Sequence, residues 1–424
     1  MIGPLNRERR VATHPPMEIT SFGDEVDPRS VGLTQADIDA IWEAVVRYYE
    51  VGFQPSIAVC IRRRGQIVLH RTIGHRHGNA PGEITTAQLA TTETRFNMFS
   101  GSKAVLGTLM GMIQERGHVR LDDRVVRYIP EFGRHGKSNI TLRHLLSHQA
   151  GIPVTPPHAV KLDVLHDPEA LLELCCDQVP TDPPGRRVAY HAITAGFVLQ
   201  EVAKKVTGHD VRGLLDEWIR KPLGLRTLTY GVPDHELDQV ARDVITGPTA
   251  PAFFNRLLSR SLGAEFEDVV AMASEDRFLT GVVPSGNVIG TSDDVGRFFE
   301  MLLRGGELDG VRVMQPKTVA QIVRPHNSGR RPDGIIKLPI RYGLGFMLGG
   351  RRVSFYGDHS RAAFGHLGFT NVLAWADPER DISVAFLNNG KPFIALELLL
   401  WLRIPRIIAS RVPRDHRNPI QDWT

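Results

Sequence analysis

Ser100 and Lys103 stand three residues apart in FNMFSGSKAVLGTLMGMI (Phe96 to Ile113), a run whose only charged residue is Lys103. Residues three apart on a helix share a face, so hydroxyl and amine would meet at the first turn, a geometry suited to proton transfer. A helix N-terminus also leaves backbone N–H groups free, half of what is needed to hold a tetrahedral oxyanion. The run is apolar on every face, which predicts a buried helix, and Lys103 then needs a reason to be inside. Gly101, Gly107 and Gly111 each cost about 1 kcal/mol of helix propensity relative to alanine, which suggests close approach of neighbouring elements. The plainer reading is an N-cap serine with a snorkelling lysine.

Other candidates are weaker. Tyr190 follows the turn residues Pro183, Pro184 and Gly185, where an aromatic residue is ordinarily structural. HLLSH spaces His144 and His148 as a zinc site would on one helical face, but the metalloprotease pattern needs a glutamate where Leu145 stands, so a structural role is expected. His75 and His77 read as a solvent-facing pair in a polar loop. No glycine-rich phosphate loop or nucleotide fingerprint is found, and no cofactor and no metal are predicted. Cys60, Cys175 and Cys176 cannot build a disulfide framework, which suggests a reducing compartment.

The elements that must position these groups are segregated along the 424 residues. PSIAVCIRRRGQIVLHRTIG predicts a hairpin turning at Arg64 and Gly65, and RVSFYG, TNVLAWA and DISVAFLNN predict three late strands, with Asp377 to Arg380 as a tight connection. Helical spacing dominates between them, over Leu142 to His148, Ile193 to Val206, Val211 to Leu223 and Thr291 to Leu303. The expected fold is α/β (α+β): residues 30–100 and 285–424 form an antiparallel sheet with flanking helices, residues 101–284 a mostly helical region, and the site lies at their junction. A hydrophobic content of 42% with 23% charged residues suits a soluble globular protein, and a net charge of +4 from scattered arginines gives little support to nucleic-acid binding. The early basic residues lack an apolar run behind them, so no secretory signal is read and a cytoplasmic location is expected. PFIALELLLWLRIPRIIASRVPR is interrupted by Glu397, Arg403, Pro405 and Arg406; it predicts a core-packing terminal helix, with an interfacial amphipathic helix as the alternative.

The Ser-x-x-Lys of Ser100 and Lys103 resembles the first motif of the serine β-lactamase and penicillin-binding protein superfamily. The resemblance continues in order through ITLRHLLSHQAGIP, DPPGRRVAYHAITAGFVLQEVAKKVTG, GTSDDVGRFFEMLLRGGELDGVRVM, RYGLGFMLG and FGHLGFTNVLAWADPERDISVAFLNN, spanning most of Ser56 to Asn389. It implies the class C β-lactamase fold, with Ser100 as nucleophile, Lys103 as its hydrogen-bonded neighbour and Tyr190 as the tyrosine of the second motif. The third motif falls on His366, Leu367 and Gly368. Two positions depart from the lactamase pattern: Ala192 replaces an asparagine, and His366 replaces a lysine. Both changes remove groups assigned to binding the amide and carboxylate of a β-lactam or peptide, and the remainder resembles the family VIII carboxylesterases.

What the resemblance implies is an acyl-enzyme route for carboxylic esters of short to medium chain. Lysine and tyrosine have reference pKa values of about 10.4 and about 10, and a buried pair can share a proton. A Tyr190 phenolate held ionised by Lys103 is the expected base, with Lys103 itself as the alternative. The oxyanion would sit between the backbone N–H groups of Ser100 and Phe369, while His366 and Gly368 contact substrate. Phe254, in GPTAPAFFNRLLSRSLG, walls the acyl pocket in one reading and packs a core helix in the other. A β-lactamase or D,D-peptidase and a catalytically silent scaffold are the alternative functions, and the oligomeric state stays open.

Overall fold

The two residues at the predicted hairpin turn, Arg64 and Gly65, both take positive φ (51° and 81°), as the commonest two-residue hairpin turns require. In the computed structural model, which describes residues 9–155, 162–165, 167–350, 354–393 and 398–415, Ser56–Arg63 and Gln66–His77 pair antiparallel about that turn. Among the described residues they belong to a nine-stranded sheet. Its order is Thr20–Phe22, Gln66–His77, Ser56–Arg63, Ile382–Asn388, Val372–Asp377, Phe364–Gly368, Met347–Leu348 and Arg341–Tyr342, with Gln88–Leu89 attached to Gln66–His77 off this path. Every pairing is antiparallel, and the two ends of the chain meet where Val59 stands opposite Phe386.

Side-chain alternation gives the sheet two buried faces. Ile57, Val59 and Ile61 pack with Ile41 and Val45 of the helix Gln35–Tyr49 and with Trp401 and Ile404 of the terminal helix Leu398–Arg411. Ala58, Ala374 and Ala385 face the opposite way, onto Val295, Phe298 and Leu302 of the helix Ser292–Leu303. Local sequence fixes where these helices begin. Thr34 and Asp37 form a reciprocal capping box, and the Thr291 side chain accepts the N–H of Asp294.

Between Ser102 and Thr280 the chain is mostly helical. Ser102–Glu115 runs through the middle and is buried from Ser102 to Ile113. Gly107 is the point of closest approach: a Cβ there would lie 2.1 Å from the carbonyl oxygen of Leu344.

Several expectations are corrected. Residues 354 to 357 of RVSFYG form turns, residues 351–353 lying outside the described set, and Tyr356 is buried there with its hydroxyl donating to Met347 O. Phe364–Gly368, with Met347–Leu348 and Arg341–Tyr342 beyond it, forms that side of the sheet instead. His75 and His77 lie on the strand Gln66–His77, and His75 is buried with its ring 5.0 Å from that of His14. The helix read to His148 ends at Leu146, and the one read to Leu223 gives way after Leu215 to a π turn over Asp216–Arg220. The terminal helix packs on the core as expected, though residues 394–397 lie outside the described set. No helix among the described residues is long and apolar enough to cross a membrane.

Candidate active site

Ser100 occupies a 3-10 turn, Phe99–Gly101, immediately before the helix Ser102–Glu115, rather than the helix itself. Phe99 takes a left-handed φ of 47°, and Asn97 Oδ1 holds its N–H at 3.0 Å. Such conformations cost about 1 to 3 kcal/mol and persist only where the surroundings over-determine them. Here the turn leaves Ser100 half-buried, while Lys103, three residues on, is buried in the first helical turn.

Lys103 Nζ has three partners: Ser100 Oγ at 3.3 Å, Ala192 O at 2.7 Å and Ser285 O at 3.2 Å. Two are carbonyls, which can only accept, so they claim two N–H bonds whatever the protonation state. An ammonium would spend its third N–H on Ser100. A neutral amine would instead direct its lone pair at the serine hydroxyl. Burial pulls the Lys103 pKa from 10.5 down to about 7, which brings the neutral form within reach near neutral pH.

Tyr190 is buried, in hydrogen-bonding contact with Ser100, and its ring lies 5.0 Å from Lys103 Nζ. Burial pushes its phenol well above the usual range; the Ser100 bond opposes this and the Asp333 carboxylate adds to it. This direction disfavours the expected phenolate. With the Lys103 pKa lowered to about 7 by burial, the ammonium that would stabilise a phenolate is only partly populated near neutral pH, and the Asp333 carboxylate opposes the phenolate further.

Three successive N–H groups fix the tyrosine. Ala189 N–H donates to His148 O at 2.9 Å, Tyr190 N–H to Asp333 Oδ1 at 3.3 Å and His191 N–H to His148 Nδ1 at 3.1 Å. The His148 ring lies 4.6 Å from that of Tyr190 and 4.8 Å from that of Tyr342, whose hydroxyl donates to Asp333 Oδ2 at 3.1 Å. His148 has its pKa held well below 6.5, by burial first and then by His191, Lys103 and His366, which keeps Nδ1 an acceptor. The shared helical face read for His144 and His148 does not exist. His148 has turned out of the helix with φ 59°, and His144 Nδ1 accepts the N–H of Thr141. Among the described residues no group of three or more His, Cys, Asp or Glu side chains could hold a metal ion. Asp333 carried no motif. His148 was visible only as half of a false zinc pair.

His366 is buried on the strand Phe364–Gly368, its ring 6.1 Å from that of Tyr190. Burial, then the nearby Lys103, lowers its pKa to about 3, so the ring is neutral. Its Nδ1–H donates to Leu367 O at 2.7 Å, and Nε2 is left as a buried acceptor with no partner among the described residues. Gly368 is a close-approach glycine, since a Cβ there would lie 2.4 Å from Met98 O. That contact sets residue 369 alongside the Phe99–Gly101 turn, with the rings of Phe99 and Phe369 5.7 Å apart. Phe266 follows at 5.0 Å from Phe369. Around Tyr190 the half-buried Leu262, Ile335, Ile336 and Leu367 add apolar surface. The Phe254 side chain lies outside the described residues, although the helix that carries it, Ala252–Leu262, is present.

Sheet, central helix and the Ser100–Lys103–Tyr190 cluster together define the fold class of the serine β-lactamases and penicillin-binding proteins. The chain belongs to the Beta-lactamase family, whose model matches residues 45–405, and is a hydrolase at that level. It is similar to the esterase/β-lactamase LipL of Mycobacterium tuberculosis, 27% identical over 341 residues, which are 77% of each chain. A candidate D-alanyl-D-alanine carboxypeptidase of Escherichia coli is 23% identical over 385 residues, 86% of this chain and 85% of that one. Two solved structures share the fold with a TM-score of 0.74 and 24% identity each: a penicillin-binding protein homologue from Caulobacter crescentus, covering 90% of this chain and 99% of its own, and a family VIII carboxylesterase, covering 88% and 98%.

Proposed function

We propose that the protein is a serine carboxylesterase that hydrolyses short- to medium-chain esters through an acyl-enzyme on Ser100. The observation that carries this reading is the lysine's surroundings: two carbonyl acceptors and a buried amine with a pKa near 7 leave a lone pair for the Ser100 hydroxyl. In the forward step Lys103 takes the proton of Ser100 Oγ as the oxygen bonds to the ester carbonyl carbon. The carbonyl electron pair moves onto its oxygen, held by the backbone N–H groups of Ser100 and Phe369. Collapse breaks the ester C–O bond, and the Tyr190 phenol protonates the departing alkoxide, regaining its proton from the Lys103 ammonium. Water then repeats the sequence on the acyl-enzyme and releases the acid.

Esters are favoured over lactams by what the site offers. His366 is neutral and presents no cation to a carboxylate, Ala192 presents no side-chain amide, and the neighbouring surface is apolar. The likeness to LipL, an esterase/β-lactamase by name, is compatible with ester hydrolysis and with lactam hydrolysis alike, and the family VIII carboxylesterase shares the fold. The β-lactamase or D,D-peptidase reading draws on the carboxypeptidase relative. Activity profiling with p-nitrophenyl esters of graded acyl length, run beside nitrocefin and a D-alanyl-D-alanine peptide, separates the two. Turnover of the peptide or nitrocefin above that of every ester would reject the esterase reading, and no turnover or covalent labelling of any kind would favour a silent scaffold.

A further inference from the structure

Behind the nucleophile turn lies a buried ion pair that the chemistry above does not use. Lys391, on the short strand Gly390–Pro392, is fully buried and pairs at 3.2 Å with Asp243, itself buried at the entry to the parallel strand Val244–Thr246. Burying two charges is expensive, and replacing such a pair with apolar residues is often neutral or stabilising, so stability alone is a poor reason for it. Its neighbours are informative. Lys391 Nζ lies 5.0 Å from the centroid of the Phe99 ring, the residue of left-handed φ that precedes Ser100. The same ammonium donates to Asn388 O at 2.8 Å and Asn388 Oδ1 at 3.2 Å, and Asn388 Nδ2 donates to Asn371 O at 3.0 Å. Thr370 Oγ1 donates to Pro392 O at 3.3 Å, one residue beyond the lysine. One buried cation thus reaches the segment before Ser100 through a ring face, and the segment after Phe369 through an asparagine.

We propose that the Asp243–Lys391 pair is a positioning element for the oxyanion site, holding the Phe99–Ser100 turn and the Phe369–Asn371 turn in register so that their two N–H groups converge. The cation–π contact with Phe99 and the bonds through Asn388 are the two arms of this clamp. The inference rests on the reading of Ser100 as nucleophile and of the Ser100 and Phe369 N–H groups as the oxyanion donors. Positioning errors of about 1 Å at such a site cost about a hundredfold in rate, whereas ground-state binding of an ester depends little on them.

The test compares the full-length enzyme with the charge-balanced double variant D243N/K391M and with Phe99→Leu, which keeps the ion pair and removes only the ring over it. Two quantities are read: kcat and KM on p-nitrophenyl butyrate, and the affinity for butylboronic acid, whose tetrahedral adduct needs the oxyanion donors. Both variants are expected to lose about ten- to a hundredfold in kcat, with KM changed less than about threefold and boronate affinity falling in parallel. A folded variant of either kind with wild-type kcat and boronate affinity overturns the proposal. So does a loss confined to melting temperature or KM. If the double variant does not fold, Phe99→Leu alone decides. Failure of the underlying reading looks different: wild-type enzyme that binds no boronate, or Ser100→Ala that keeps its activity, removes the oxyanion site itself and this inference with it.

Discussion

Asp333 Oδ1 accepts the backbone N–H of Tyr190, while the other oxygen of the same carboxylate takes the hydroxyl of Tyr342. Asp333 Oδ1 also binds the N–H groups of Ile335 and Ile336, at 2.7 Å and 2.9 Å. The carboxylate therefore closes its own loop and fixes the tyrosine from behind. Asp333→Asn keeps an acceptor oxygen and is expected to retain at least about a third of wild-type kcat, whereas Asp333→Ala should lose about tenfold or more. Neither should move the acid limb of the pH profile, which is expected to follow Lys103. Steady-state kinetics from pH 5.5 to 9 checks both, and full activity in Asp333→Ala would refute the positioning role.

With Lys103 as the base, kcat/KM should rise with pH through an ionisation near 7 and level off above it, since only the neutral amine can take the serine proton. Lys103→Arg, permanently charged, should lose about a thousandfold or more. A rate independent of pH between 6 and 9.5, with chemistry rate-limiting, would exclude this base.

The same lysine makes a prediction about stability. Between pH 7 and 10.5 the unfolded chain binds the Lys103 proton and the folded chain does not, so stability from this group rises with pH across that window. Lys103→Met lacks the term. Urea titrations should find wild type gaining on the variant between pH 7 and 10, with little change in the difference below pH 7. A gap that stays constant over the whole range would mean that the lysine is not held at a lowered pKa.

A neutral His366 and an alanine at 192 should leave nitrocefin at least about a hundredfold below p-nitrophenyl butyrate in kcat/KM, a difference of about 2.7 kcal/mol. Comparable efficiency on the two would promote the lactamase reading.

Gly107 tests the packing that holds the central helix. Alanine there would set its Cβ against the Leu344 carbonyl, and because backbone rather than a flexible side chain must yield, the cost should be about 3 kcal/mol. Melting temperatures report it directly, and an unchanged value would show that the two elements can separate.

Much of this was legible in the residues themselves. Ser100 and Lys103 announced their contact by spacing, the Arg64-Gly65 hairpin by its turn, and Gly107 by standing where helix propensity argues against it. The tyrosine needed the ordered motifs around it. What stayed hidden depends on tertiary burial. Spacing cannot tell that Lys103 loses its proton more readily than Tyr190, because that order follows from the burial of both groups, with the distant carboxylate of Asp333 adding to it at the tyrosine. His148 misled for the same reason: its helical period was an accident of a chain that leaves the helix at Leu146 to put the ring against Tyr190. RVSFYG has strand-like composition, but its tyrosine is bound to Met347 O and packs against Trp375 from a turn.

Covalent catalysis at Ser100 can be tested by trapping the acyl-enzyme. The protein should be mixed with excess p-nitrophenyl butyrate, quenched in acid within the first turnovers, and its intact mass and peptides measured alongside Ser100→Ala. One butyryl group is expected on the peptide carrying Ser100 and none on the variant. An adduct on another residue, or hydrolysis by Ser100→Ala at the wild-type rate, would contradict covalent catalysis at Ser100.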